Sequence, residues 1–169
     1  MQDLTVMRTI DCDYGIALCE LTCLASFFGM RSVEYCKTKD PKPKTKRVTL
    51  QDIRFLHTQP RNLLASNAAK VSINFADQKN GVKHQKITRP RASPNGLQGY
   101  CPVTIAASLY NRVGSYAYEC KNPPINLCVK DGWHHLITYQ EVLKYQKHVA
   151  AALGERLIGF PPSKIGTHS

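Results

Sequence analysis

The sequence predicts an α+β fold, mainly helical with one small antiparallel sheet, in a single domain over residues 1–169. Three observations predict it. Residues 14–30 are almost wholly apolar, with Glu20 the only charged side chain between Asp13 and Arg31, the pattern of a helix buried on all sides. Val71, Ile73 and Phe75 alternate with Ser72, Asn74 and Ala76, which is strand periodicity, and Asn80-Gly81 then favours a tight type I′ turn. Thr138-Tyr139-Gln140-Glu141 is a capping box that opens a further helix. A chain of 169 residues is long enough to bury a core.

In chain order, the first helix is expected from Tyr14 to Met30, with Asp13 as its N-cap. It delivers Arg31 at its end, with Glu34 three residues on. An always-charged fork of five donors at the edge of a core suits a phosphate, and it suits equally an ion pair with Glu34 or another carboxylate. Residues 36–47 form a basic loop with six basic residues against one acidic, and Pro41 and Pro43 forbid a regular element there. Lys42, Lys44, Lys46 and Arg47 of this loop are candidate contacts to a DNA backbone. A solvated loop or a nuclear-import signal would carry the same composition.

Val48-Thr49-Leu50 is expected to begin a strand that continues toward Ile53 and Phe55, and residues 57–69 are expected to be loop. The hairpin spans residues 70–89. Lys79, Lys83, His84, Lys86, Arg89 and Arg91 cluster on it or just after it, and no acidic residue occurs from Gln78 to Tyr118. A hairpin with a basic tip is shaped to approach a phosphate backbone, whereas lysines on an edge strand also guard against sheet-to-sheet pairing. Pro94-Asn95-Gly96 is a turn. A second helix opens at Cys101-Pro102, with Val103, Ile105, Ala106, Leu109, Tyr110 and Val113 on its core face. Leu127-Cys128-Val129 reads as a short strand and Asp131-Gly132 as a turn. The third helix runs from the Thr138 box to about Leu153. Pro161-Pro162 blocks any helix beyond, and residues 161–169 are expected to fray.

A formal net charge of +11 is an argument about partners, with nucleic acid first and an anionic membrane surface second. No run reaches the roughly 18 apolar residues of a membrane span, and the first residues lack the pattern of a secretory leader. Seven cysteines, an odd number without an export signal, read as reduced thiols in an intracellular protein. Cys19 and Cys23, at i and i+4, could be half of a zinc site or a thiol-redox pair. No second pair follows at ligand spacing, and buried structural thiols are the alternative, so no metal and no cofactor are expected.

The order of these parts resembles the catalytic domain of tyrosine recombinases, the phage-integrase family, and most closely the eukaryotic branch carried by DIRS-type and Crypton-type mobile elements. Gly29-Met30-Arg31-Ser32-Val33-Glu34-Tyr35 is similar to the family's first arginine box. Gln78-Lys79-Asn80-Gly81 is similar to the hairpin that carries its lysine, and Gly166-Thr167-His168-Ser169 to the opening of its His-x-x-Arg box. The resemblance implies a DNA-binding domain of strand cleavage and rejoining through a 3′-phosphotyrosine link. It implies Arg31 as a clamp on the non-bridging phosphate oxygens and Lys79 as the acid that protonates the leaving 5′ oxygen, with Lys83 as the fallback for that acid. His168 would assist proton transfer, and Glu34 would hold the local turn. Lys42, Lys44, Lys46, Arg47, Lys83, Lys86 and Arg89 would meet the DNA backbone. The implied partner is double-stranded DNA, with no small-molecule substrate, no membrane, and an oligomer on DNA once the missing parts are supplied. The implied location is intracellular, and nuclear in a eukaryote.

The departures from the family pattern carry their own expectations. The family's second arginine, its third box and its nucleophilic tyrosine would lie beyond His168, and its N-terminal clamping domain would precede Asp13. The chain is therefore expected to be a recombinase core truncated at both ends, inactive alone and of marginal stability. A non-catalytic basic DNA- or RNA-binding protein is the alternative, with Arg31 and Lys79 as ordinary surface or salt-bridge residues.

Overall fold

The computed structural model describes residues 12–38, 45–58, 64–77, 83–92, 100–116 and 120–152. Within them the fold is mixed α and β, as the periodicities require. Helix α1 runs Cys12–Phe28 and the single-turn α2 runs Ser32–Tyr35. Strands β1 (Ile53–Leu56), β2 (Lys70–Asp77) and β3 (Lys83–Pro90) form an antiparallel sheet in the order β1-β2-β3. Helix α3 spans Pro102–Gly114, the hairpin β4 (Leu127–Lys130) and β5 (Trp133–Leu136) follows, and α4 spans Tyr139–Ala152. No helix among the described residues is long and apolar enough to cross a membrane.

The apolar run of α1 makes it the central element. Ala17, Leu18, Leu21, Leu24, Ala25 and Phe28 are buried, and α1 packs on α3 and β4. Its boundaries lie two residues earlier than expected. Gly29 adopts φ +62°, the left-handed conformation that glycine enters without a Cβ penalty, and the Met30 amide reaches back to the Ala25 carbonyl at 2.9 Å. That six-residue closure ends the helix before Met30. Asp13 is not the N-cap. It lies inside the first turn, and its carboxylate accepts the Tyr116 hydroxyl at 2.7 Å and the Val129 amide at 2.8 Å. These two distant donors set its place, and burial of the ring, with the Asp13 contact, pushes the Tyr116 hydroxyl up to about 12.

The expected strand at Val48 starts later. Asp52 accepts both the amide and the hydroxyl of Thr49, at 2.9 and 2.7 Å, and this local capping winds Leu50–Asp52 into a 3-10 turn before β1. The loop expected at 57–69 contains a second 3-10 turn at Ala65–Asn67. Pairing of β2 with β3 sets Val71 opposite Arg89, Ile73 opposite Ile87 and Phe75 opposite Gln85. The buried face of the sheet, with Ile53, Val71, Ile73 and Phe75, lies against α3. The Asn80-Gly81 turn lies outside the described residues.

The Asp131-Gly132 turn is present, with φ +51° and +80° as a type I′ turn requires. It leads into β5, which the sequence pattern did not announce. Trp133-His134-His135 lacks apolar alternation, and the strand is held by its pairing with β4. The Thr138 box closes as expected: Glu141 accepts the Thr138 amide and hydroxyl, both at 2.9 Å, and donates its own amide to that hydroxyl at 3.4 Å. Leu153 and residues 161–169 lie outside the described residues.

Candidate nucleic-acid interface

The site builds outward from the end of α1. After the Gly29 turn, Arg31 is extended (φ −80°, ψ 151°) and serves as the N-cap of α2. Its amide donates to Glu34 Oε2 at 2.8 Å. Its guanidinium Nε lies 3.7 Å from Glu34 Oε1, a loose ion pair, with the arginine side chain 34% exposed and that of Glu34 only 3%. Glu34 is buried, and burial pushes its carboxyl pKa up, against the opposing pull of the Arg31 amide and charge. Glu34 thus clamps the backbone of Arg31, whose side chain as a whole stays about one-third exposed. The ion-pair reading of Arg31 is present as this contact to Glu34.

Residues 45–49 run alongside α2, since the Val48 amide donates to the Glu34 carbonyl at 2.8 Å. Thr45, Lys46, Arg47, Thr49 and Pro124 line a shallow groove there. Lys46 is exposed, and Arg47 is partly buried with its Nη1 enclosed and without a hydrogen-bond partner.

The hairpin cations separate. Arg89 uses its Nε to donate to the Phe27 carbonyl at 2.7 Å, tying β3 to the last turn of α1. A cation at a helix C-terminus is favoured both by the bond and by the helix dipole. Arg91 donates its Nε to the Ala68 carbonyl at 2.9 Å and its Nη2 to the Ser66 carbonyl, which secures the turn before β2. Lys86 pairs across from Asn74 and lies on the other face of the sheet, exposed. Lys83 opens β3. The structure therefore brings Arg31, Glu34 and Arg89 to the end of α1, sets Lys46 and Arg47 beside α2, and places Lys86 apart from both groups. Lys42, Lys44, Lys79 and His168 lie outside the described residues.

Sequence reasoning missed three features. Arg112 of α3 donates to Glu20 Oε2 at 2.8 Å, and Ser108 to Glu20 Oε1 at 2.5 Å, so the charge in the middle of α1 is paired inside the core. The Arg112 Nη1 also donates to the Tyr116 hydroxyl at 2.8 Å and the Leu127 carbonyl at 3.1 Å. Glu141 is a hub: besides Thr138 it meets Tyr14, Lys130 and His135 at 2.9–3.0 Å. Burial alone would raise its carboxyl pKa, but the Thr138 amide, His135, Lys130 and the Thr138 hydroxyl together hold it well below the ordinary value. Arg54 and Lys70, on β1 and β2, are exposed cations that the hairpin pattern left out; the alternation Ile53-Arg54-Phe55 was the available signal.

Cys19 and Cys23 are partly buried, and Tyr145 of α4 hydrogen-bonds Cys19. Among the described residues no three His, Cys, Asp or Glu side chains are grouped as a metal site would need. No protein-family model, curated protein or solved structure matches the chain.

Proposed function

We propose that this chain engages the phosphodiester backbone of double-stranded DNA as part of a tyrosine-recombinase-type catalytic core, with Arg31 as the phosphate-binding guanidinium. One observation carries the reading. A buried helix stops at a glycine turn, and the next residues present an arginine whose backbone is fixed by a buried glutamate and whose side chain is about one-third exposed. A three-stranded antiparallel sheet then follows, whose β2–β3 connection contains Lys79. That order of parts is the one the recombinase resemblance implies: a clamp on the non-bridging oxygens, then an acid for the leaving oxygen. In this reading Lys79 supplies the proton, His168 assists its transfer, and Glu34 orients Arg31 without touching DNA. Residence in the nucleus follows where the host is a eukaryote.

The test is fluorescence anisotropy of a labelled duplex titrated with the chain at several salt concentrations. Arg31→Ala is expected to weaken binding roughly tenfold, the order of one charge-assisted hydrogen bond, and to flatten the log–log salt slope by about 0.9, the value for one phosphate. Its thermal melt should stay close to that of the parent. Unchanged affinity and slope in Arg31→Ala, or an effect that appears only with loss of folding, would return Arg31 to an ordinary salt-bridge residue and leave a generic basic binding protein.

A further inference from the structure

The outward face of the three-stranded sheet holds three strands' worth of charge of one sign. The register places Arg54 opposite Ser72, Lys70 opposite Leu56 and Lys86 opposite Asn74, so Arg54, Lys70 and Lys86 share the face that points away from the core. All three are exposed. Between them lie two hydroxyls, with Thr88 donating to Ser72 at 3.1 Å and Ser72 to the Ile87 carbonyl at 3.3 Å. His84 and Ala76 extend the face, and no carboxylate falls at any of its strand positions.

The contrast with the opposite side makes the patch specific. There the β3 arginine Arg89 and the flanking Arg91 are engaged by backbone carbonyls and act as struts. On the outward face, among the described residues, no hydrogen bond or ion pair commits the side chains of Arg54, Lys70 or Lys86. Strands about 4.8 Å apart, with a rise of about 3.3 Å per residue, spread these cations over a patch on the order of 10 Å. Charge of one sign gathered on one sheet face complements a polyanion.

We propose that this face is a phosphate-backbone docking surface for duplex DNA, separate from the Arg31 turn, and that Arg54, Lys70 and Lys86 each contact a phosphate. The proposal rests on the DNA-binding reading above and adds the surface that supplies its salt-dependent affinity. Each ion contact releases condensed counterions, so the three together account for a log–log salt slope of about 2.7.

The experiment compares three variants in the same duplex titration. Arg54→Gln/Lys70→Gln/Lys86→Gln should flatten the slope by about 2.7 while melting like the parent. A control triple, Lys121→Gln/Lys144→Gln/Lys147→Gln, removes equal charge from exposed positions elsewhere and should change the slope by less than about 1. A charge-preserving triple, Arg54→Lys/Lys70→Arg/Lys86→Arg, should bind like the parent, which keeps the test valid if the neutral variant is poorly folded. Equal losses in the neutral and control triples would mean a diffuse field and overturn the patch. An unchanged slope in the neutral triple would overturn the patch while leaving Arg31 binding intact. Absence of any duplex binding by the parent at low salt would overturn this proposal and the DNA reading together.

Discussion

Between α1 and α3 charge is buried and paired, with Glu20 held by Arg112 and Ser108 among apolar neighbours. On the three-stranded sheet the buried apolar side chains Ile53, Val71, Ile73 and Phe75 face inward, and Arg54, Lys70 and Lys86 face out, with no hydrogen bond or ion pair among the described residues. The two regions show that the basic excess of this chain divides by role. Cations that find a carboxylate or a carbonyl, as Arg112, Arg89 and Arg91 do, act on stability. Cations left on the outer sheet face are available to a partner.

This division can be broken from the interior first. Glu20→Ala leaves Arg112 charged and nearly buried without its partner, and should destabilise the fold by about 3–5 kcal/mol. Denaturant unfolding measures it, and a double variant that makes both residues apolar should recover much of the loss. Ile73→Ala removes a fully buried side chain at the centre of the sheet and should cost about 2–5 kcal/mol by the same method, through a cavity and with no change in charge. If Glu20→Ala proves nearly neutral, the α1–α3 interface is held by packing alone and the comparison fails.

Gly29→Ala probes the link between the two regions. At φ +62° a Cβ meets no atom within 4 Å, so the cost is the left-handed backbone alone, about 1–2 kcal/mol. Because this turn places Arg31, the variant should also weaken duplex binding, which separates it from a substitution that only destabilises.

The smallest effect is in acid. Glu141 has a folded pKa below its unfolded value, so the stability it contributes is fully present above the ordinary glutamate range and is lost as pH falls below it. Glu141→Gln should therefore lower the melting temperature at neutral pH and flatten the acid limb of the profile, so that variant and parent converge as pH falls below about 4.5. A parallel profile for the parent and the variant would show that the Thr138, Lys130 and His135 contacts do not favour the charged form.

Much of the fold was readable because its signals are local. The apolar run of α1, the alternation of β2 with the return strand β3, the proline that opens α3 and the Thr138–Glu141 cap each act within a few residues. The errors fell where a distant partner overrules a local rule. Asp13 had the chemistry of an N-cap, yet Tyr116 and Val129 claim its carboxylate from more than a hundred residues away. Strand β5 carries no alternation of its own and is specified by β4. The pairing of Arg31 with Glu34 was visible as spacing, whereas the partial exposure of the Arg31 side chain was not.

By itself the sequence determined that the chain folds around a buried helix, that a glycine and then an arginine follow it, that paired strands rich in basic residues come next, and that the chain carries a large positive charge. Only the tertiary structure decided which cations are structural and which are available. An arginine on a strand has the same residue type whether it donates to the end of a helix or points into solvent. That outcome depends on strand register, which moves each side chain to one face or the other, and on the carbonyls that a separate helix brings within about 3 Å.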